Sequence, residues 1–219
     1  MTSQKAFHPM QASVEEFHRV MDLTVGASPA VRDPDLRMAL IREEVLEAGK
    51  ALRDLDVVES AKELCDVLYV VFGTAVTFGI RLVPAASRLP VARWTEIRDG
   101  AALAAALEAL GKTTCSEIAS GDLESIEPTL ADLAGLALAI GDTCGLRLPQ
   151  SFNLVHASNM TKAGGPVRAD GKRLKPPTYQ PADLNPLFGL FGFKPMTASP
   201  AVRAPSGPGL DPREGADQA

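Results

Sequence analysis

Two acidic stretches decide the fold of this chain: EEVLE at residues 43–47 and, after a gap of fifteen residues, ELCD at residues 63–66. A helix advances about 100° per residue, so residues three apart lie on the same helical face. The acids that share a face in this way are Glu44 with Glu47, and Glu63 with Asp66. The spacing therefore predicts a helical hairpin with carboxylates on its facing surfaces.

The sequence around the second stretch indicates that these acids lie at the edge of a core. Residues 67–80 (VLYVVFGTAVTFGI) follow it without a single charge, as in a helix that is buried nearly all round. Buried carboxylates need partners, and four of them close together repel one another unless a cation neutralises them. Oxygen ligands of this kind suit Mg²⁺ or Mn²⁺. We expect a divalent-metal site, with a solvated charge run beside Arg42 and Lys50 as the alternative.

Composition limits the classes of function. The net charge of −5 argues against general nucleic-acid binding, and an aromatic content of 5% with abundant alanine and leucine favours an all-helical protein. Residues 67–80 are too few to cross a bilayer, and residues 1–10 lack the apolar core of a secretory signal. The three cysteines, Cys65, Cys115 and Cys144, show no metal-ligand spacing. We expect a cytoplasmic protein with no nucleic-acid or membrane partner.

A basic segment follows later in the chain. Residues 161–181 contain glycines and prolines that forbid a long helix and indicate an ordered loop or lid. The cations crowded into this segment are Lys162, Arg168, Lys172, Arg173 and Lys175. A basic loop beside an acidic metal site suits a polyphosphate, because the metal neutralises one side of the anion and the lysines the other. An ordinary solvated loop is the alternative.

Together these motifs carry a resemblance to a known superfamily. The order EExxE, fifteen residues, ExxD is similar to that of the all-α nucleoside triphosphate pyrophosphohydrolases. These include MazG-like enzymes, dimeric dUTPases, dCTP pyrophosphatases and phosphoribosyl-ATP pyrophosphohydrolases. Residues 63–75 resemble the third helix of the MazG-like branch, and VHASNMTK at 155–162 with KPPTY at 175–179 resembles its closing segment. The matches cover about half of the chain.

The resemblance implies a fold and an activity. The expected fold is an all-α, MazG-like helical bundle with a four-helix core. The expected enzyme hydrolyses a nucleoside triphosphate, dUTP or a related deoxynucleotide first, to the monophosphate and pyrophosphate, and so clears the nucleotide pool. A phosphoribosyl-ATP pyrophosphohydrolase and a catalytically silent module that binds nucleotide or protein are the alternatives. A homodimer is expected, with a four-helix core closed within one chain as the alternative.

The resemblance also implies roles for individual residues. The expected ligands of Mg²⁺, with Mn²⁺ as the alternative ion, are Glu44, Glu47, Glu63 and Asp66. The expected catalytic residues are Glu43 and Glu47, and Glu43 would orient or deprotonate the attacking water. The residues expected to contact substrate are Asn159, Lys162, Lys175 and Tyr179. For Tyr179, packing that only anchors the loop is the alternative.

An internal repeat distinguishes this chain from compact relatives. Residues 66–79 and 132–145 have the same internal spacing, and residues 101–112 could mirror the first acidic helix, with Glu108 loosely matching Glu47. The copy has lost most of its acids. We therefore expect a pyrophosphohydrolase domain at 1–185, which includes an inserted degenerate repeat at 81–150, and a largely disordered tail at 186–219.

The chain before the acidic hairpin predicts one further helix. Residues 14–23 have helical spacing, with Ser13 as N-cap and Glu16 completing a capping box. On this helix we expect Phe17 to face the core and His18 to lie on the surface.

Overall fold

A computed structural model describes residues 8–86, 100–169 and 171–189, and these ranges contain seven α-helices. The helices are α1 (Pro9–Val20), α2 (Pro34–Asp54), α3 (Val57–Phe78), α4 (Gly100–Ser120), α5 (Leu123–Cys144), α6 (Leu148–Met160) and α7 (Asn185–Gly189). Within the same ranges there is no β-strand, and the only bridge is an isolated antiparallel pair between Val167 and Arg173. The predicted all-α class is confirmed.

Local signals fix the ends of the acidic hairpin α2–α3. Pro34 stands at the start of α2, where its missing N–H costs nothing. Asp56 caps α3, because its side chain accepts a hydrogen bond of 2.9 Å from the backbone N–H of Glu59. Gly79 ends α3 in the left-handed conformation, with φ of +71°. The two helices predicted from the acidic stretches are therefore present.

The second hairpin, α4–α5, repeats the first with the predicted offset. Each of its four helix ends coincides with the corresponding end in α2–α3 when position 66 is laid on position 132. Asp122 caps α5 as Asp56 caps α3, and Gly145 ends α5 as Gly79 ends α3. In this register Glu47 corresponds to Thr113. The loose match of Glu47 with Glu108 expected from the sequence is therefore wrong.

The two hairpins build one four-helix core. Helix α2 packs against α3 and α4, and α5 packs against α3 and α4, so the four helices close a ring. The contact between α2 and α4 is close: a Cβ on Gly111 would lie 3.0 Å from both methyl carbons of Val45. Segment 81–150 thus supplies half of the core of this single chain.

Two further helices complete the body on one side. Helix α1 packs against α3 and α6, and α6 packs against α3. The basic segment then folds back over this side. Arg173 holds it there by donating hydrogen bonds of 2.8 Å to the carbonyl oxygen of Gly165 and 2.7 Å to that of Met21.

The structure corrects two expectations about the first helix. The helix begins at Pro9 rather than at Val14, because a proline suits the first helical position, and Ser13 lies inside the helix instead of capping it. His18 is 3% exposed and not on the surface.

The other end of the chain bears on the predicted domain boundary and on membrane insertion. Helix α7 crosses the boundary at residue 185 and buries Phe188, while the disorder predicted beyond it concerns residues outside the described ranges. Among the described helices, none is by itself long and apolar enough to cross a membrane. Helices α5 and α6 meet the length and composition requirement only together, across a bend of 117°.

Candidate active site

Three carboxylates from the acidic hairpin converge on one point. Glu44 of α2 and Glu63 and Asp66 of α3 each direct one oxygen into a space where these atoms lie within 4.8 Å of one another. We call these three residues the acid cluster. They converge because Glu63 and Asp66 share a face of α3 that packs against α2.

The negative charge of the acid cluster is only partly compensated. Burial and then the charge of Asp66 raise the pKa of Glu44 to about 7. Burial is also the main cause of the raised pKa of Glu63 and of Asp66. Lys62 binds one oxygen of Glu63, but the other oxygen, Oε2, is buried without a hydrogen-bond partner. A cation placed between these oxygens would relieve both the repulsion and the missing contact.

The other two acids of the first stretch lie differently. Glu47 is exposed and lies outside the converging group, although it lines the same cavity as Glu44 and Asp66. Glu43 is held by the basic segment, 2.8 Å from Nζ of Lys172 and 3.7 Å from Arg168. The hydrogen bond from Lys172 is the main reason why the pKa of Glu43 is lowered.

Lysines from the basic segment face the acid cluster. Nζ of Lys172 lies 3.5 Å from an oxygen of Glu44. Burial alone would lower the pKa of Lys172, but its hydrogen bond to Glu43 and the charge of Glu44 raise it. Burial lowers the pKa of Lys162, and the charge of Asp66 opposes that shift. The lysines and the acids therefore interact electrostatically across the space between them.

Tyr179 holds two of these lysines. Its ring lies 4.9 Å from Nζ of Lys175 and 5.9 Å from that of Lys162, measured to the ring centre, which is within the range of cation–π contacts. Its hydroxyl accepts a hydrogen bond of 3.0 Å from Ser158 on α6. The tyrosine therefore anchors both lysines to the end of α6.

Acids and lysines line one open cavity, which we call the outer cavity. Its charged side chains are Glu43, Glu44, Glu47, Lys62, Asp66, Lys162, Arg168, Lys172, Arg173 and Lys175. Asn159 and Tyr179 also line it. The structure thus brings every residue predicted for the site into this cavity except Glu63, which lines an adjacent cavity together with Lys62 and Glu47.

A second, more apolar cavity adjoins the first, and we call it the inner cavity. The residues that it shares with the outer cavity are Glu44, Asp66, Asn159, Lys162, Lys172 and Arg173. Its wall also includes residues that do not line the outer cavity, among them Phe17, His18, Arg37, Leu40, Tyr69 and Gly73. Asn159 is 4% exposed. The hydroxyl of Tyr69 lies 3.0 Å from Nδ1 of His156, and its ring stacks on Phe152 at 5.6 Å between ring centres. An apolar pocket with a few polar groups beside charged residues is typical of a ligand site.

Sequence reasoning missed the inner cavity. It assigned His18 to the surface and gave Arg37 no role, because charged residues on helices usually face water. One signal was available: Arg37 precedes Glu44 by seven residues, and Gly73 follows Asp66 by seven, so each lies on the same helical face as its acid.

One comparison with known proteins found a match to this chain. The sequence model of the phosphoribosyl-ATP pyrophosphohydrolase family matches residues 14–89, about a third of the chain, which includes both acidic stretches. Neither the curated proteins nor the solved structures gave a match. The matched family is one of the all-α, MazG-like pyrophosphohydrolases that the two acidic stretches resemble. Residues 14–89 are therefore similar to the all-α nucleoside triphosphate pyrophosphohydrolase superfamily, and this match supports an enzyme that acts on nucleotide pyrophosphate bonds.

Proposed function

We propose that this enzyme hydrolyses a deoxynucleoside triphosphate, dUTP or a closely related one, to the monophosphate and pyrophosphate, and that Mg²⁺ is its cofactor. The observation that carries the proposal is the acid cluster facing Lys162, Lys172 and Lys175 across one cavity. A triphosphate fits this division of charge, because its oxygens can bind a metal on one side and ammonium groups on the other.

The donor set of the acid cluster suits Mg²⁺. All three converging atoms are carboxylate oxygens, and Oε2 of Glu63 is buried without a partner. Hard oxygen donors favour Mg²⁺ or Mn²⁺ over softer ions. Glu44, Glu63 and Asp66 would hold the ion, with Glu47 as a further ligand from the cavity mouth. When bound, the ion supplies neutralisation of phosphate charge and a more acidic water.

The remaining residues bind and orient the substrate in this proposal. Lys162 and Lys175 neutralise phosphate oxygens that the metal does not reach, and Tyr179 keeps both lysines in position. Asn159 lies where the outer and inner cavities meet and contacts the nucleotide there. Glu43 orients the attacking water once substrate phosphates take over Lys172, its present partner.

A second candidate is a phosphoribosyl-ATP pyrophosphohydrolase. The specific observation in its favour is the family whose sequence model matches residues 14–89. Both candidates use the same phosphate chemistry and differ in the nucleotide that they bind.

The test is pyrophosphate release from the full chain with Mg²⁺. The substrates are the deoxynucleoside triphosphates, the nucleoside triphosphates and phosphoribosyl-ATP, each also tried with Mn²⁺. We expect turnover of a deoxynucleotide and none after chelation of the metal. Turnover of phosphoribosyl-ATP alone would favour the second candidate, and turnover of nothing would refute both.

A further inference from the structure

A buried arginine without a hydrogen-bond partner lies in the wall of the inner cavity. Arg37 is 6% exposed, and its Nε is buried without a hydrogen-bond partner. Within residues 8–86, 100–169 and 171–189, no hydrogen bond or ion pair fixes its guanidinium group. Burial lowers the pKa of Arg37 to about 10, against the opposing charge of Asp33, which leaves the arginine charged at neutral pH. A buried charge without a hydrogen bond or ion pair is costly, so this arginine indicates a ligand that supplies the missing partner.

A histidine with a fixed tautomer stands beside it. His18 is 3% exposed, and its Nδ1 lies 2.8 Å from the carbonyl oxygen of Thr24. Only a protonated Nδ1 can donate to that carbonyl, so the Nε2 of the neutral ring is a hydrogen-bond acceptor. Burial lowers the pKa of His18 to about 4, and the ring is therefore neutral at pH 7.

Gly73 keeps the space in front of these two groups open. It lies in the interior of α3, where glycine costs about 1 kcal/mol relative to alanine. A Cβ at this position would lie 3.1 Å from Nε2 of His18 and 3.6 Å from Nη1 of Arg37. The acceptor and the donor thus face the same small volume of the inner cavity, next to the aromatic rings of Phe17 and Tyr69.

The distance from the acid cluster to Arg37 and Gly73 suits the length of a nucleotide. Arg37 and Gly73 each lie seven residues from an acid of the cluster, which is about 10 Å along the helix axis. Because α2 and α3 are joined by a short turn, both displacements run toward the same end of the hairpin. A nucleotide whose phosphates lie at the acid cluster would therefore bring its base to Arg37 and His18.

We propose that Arg37 and His18 read the base of the substrate: the guanidinium donates to a ring carbonyl, and Nε2 of His18 accepts from the neighbouring ring N–H. Uracil, thymine and guanine carry this lactam edge. Cytosine and adenine present a ring nitrogen with a lone pair in place of the N–H, and that lone pair would face the lone pair of Nε2. This inference rests on the proposed function, since it assumes that the phosphates of a nucleotide bind at the acid cluster.

The experiment compares kcat/KM within two pairs of the same ring system, dUTP against dCTP and dGTP against dATP. The full chain is assayed with Mg²⁺ by pyrophosphate release. In whichever pair is turned over, the lactam base should be preferred by at least about 100-fold, because the other base leaves buried polar groups unpaired. A preference below about threefold, or for dCTP or dATP, would overturn the proposal.

A substitution of Arg37 tests whether this residue causes the preference for the lactam base. Arg37→Gln should lower kcat/KM for dUTP by at least about tenfold and narrow the ratio of dUTP to dCTP. Arg42→Gln is the matched control, since Arg42 is exposed on the same helix and lies outside the inner cavity. It should leave both kcat/KM and the ratio unchanged. An Arg37→Gln protein that keeps the wild-type ratio and thermal unfolding would refute the role of Arg37.

His18 is tested in the same way. His18→Phe removes the acceptor and should reduce the preference for dUTP over dCTP. If that variant does not fold, Gly73→Ala replaces it: the added methyl group reaches Nε2 and should raise KM for dUTP more than it lowers kcat. An unchanged KM in Gly73→Ala would contradict the placement of the base.

Calorimetry with nucleoside monophosphates separates this inference from the proposed function. If no triphosphate releases pyrophosphate, the proposed function fails. A comparison of the affinities for dUMP and dCMP still tests whether Arg37 and His18 read the base. Tighter binding of dUMP, lost in Arg37→Gln, would support base reading. Equal binding, or binding of neither, would refute it.

Discussion

The hairpins α2–α3 and α4–α5 share a backbone plan and differ in what they bury. Their helix ends coincide when position 66 is laid on position 132, and both hairpins pack into one core. At the positions of Glu44, Glu47, Glu63 and Asp66 the second hairpin carries Leu110, Thr113, Thr129 and Asp132. Asp132 is exposed, and Thr129 bonds back to the carbonyl oxygens of Ser125 and Ile126.

The shared backbone plan therefore does not by itself produce a site, because only the first hairpin carries the converging acids. The second hairpin stabilises the core with apolar contacts and local hydrogen bonds. The first has the same backbone plan but buries carboxylates whose charges repel, and contacts with Lys62 and Lys172 compensate only part of that repulsion. Electrostatic strain is therefore confined to one half of a symmetric core.

The largest expected effect comes from the aspartates that correspond in the two hairpins. Asp66→Asn should lower pyrophosphate release by more than about 100-fold, since even residues behind metal ligands commonly contribute about 10–100-fold. Asp132→Asn, at the equivalent exposed position, should leave the rate unchanged. Steady-state assays with circular dichroism as a folding control would decide this. Equal losses in the two variants would mean that the hairpins do not differ in function.

Corresponding core leucines test whether the hairpins unfold together. Leu64 and Leu130 occupy equivalent positions in α3 and α5, and both are fully buried, at 0% exposure. Replacing either by alanine should cost about 2–5 kcal/mol of the free energy of unfolding. Urea denaturation followed by circular dichroism should give one transition for each variant. Two separate transitions would show that the two hairpins unfold independently.

The buried, neutral His18 should make the stability of the protein sensitive to acid. Its pKa is about 4 in the folded protein and ordinarily about 6.5, so the unfolded chain binds more protons between these values. The contribution of His18 to stability is complete above pH 6.5 and is lost as the pH falls, by about 2 kcal/mol between pH 7 and pH 5.

The effect of His18 must be measured by comparison with a variant, because Glu44 changes stability with pH in the opposite direction. The raised pKa of Glu44 means that its contribution to stability falls as the pH rises toward 7. Urea denaturation at pH 5 and pH 7 is compared for the natural chain and His18→Gln. The drop in stability on acidification should be smaller in the variant by the whole contribution of His18, about 2 kcal/mol. An identical drop in both proteins would mean that His18 is not buried in its neutral form.

The smallest effect concerns the contact between equivalent helices. Gly111 of α4 and Val45 of α2 occupy corresponding positions and touch each other. Gly111→Ala should destabilise the core by about 1 kcal/mol, since crowding of about 1–3 kcal/mol is partly offset by better helix propensity. In a double-mutant cycle, Val45→Ala should cost less in the Gly111→Ala background than alone. Strict additivity would mean that α2 and α4 lie farther apart.

The sequence was informative where a pattern is local. The acidic spacing and the apolar run predicted α2 and α3, and the glycines and prolines predicted the basic segment, since helical periodicity and turn chemistry act within a few residues. The start of α1 was predicted wrongly because a capping-box pattern at Ser13 competed with a proline at the true first turn. The inner cavity could not be predicted from local patterns, because Arg37, His18 and Gly73 come together only when three helices pack.

The filling of the four-helix core by one polypeptide has a consequence for mixing experiments. Every group assigned to the catalytic pocket comes from the same molecule, including Asp66 on α3 and Lys162 after α6. Two inactive versions, one altered at each of these positions, should therefore fail to complement each other when they are produced together in one cell. Specific activity should likewise be independent of dilution.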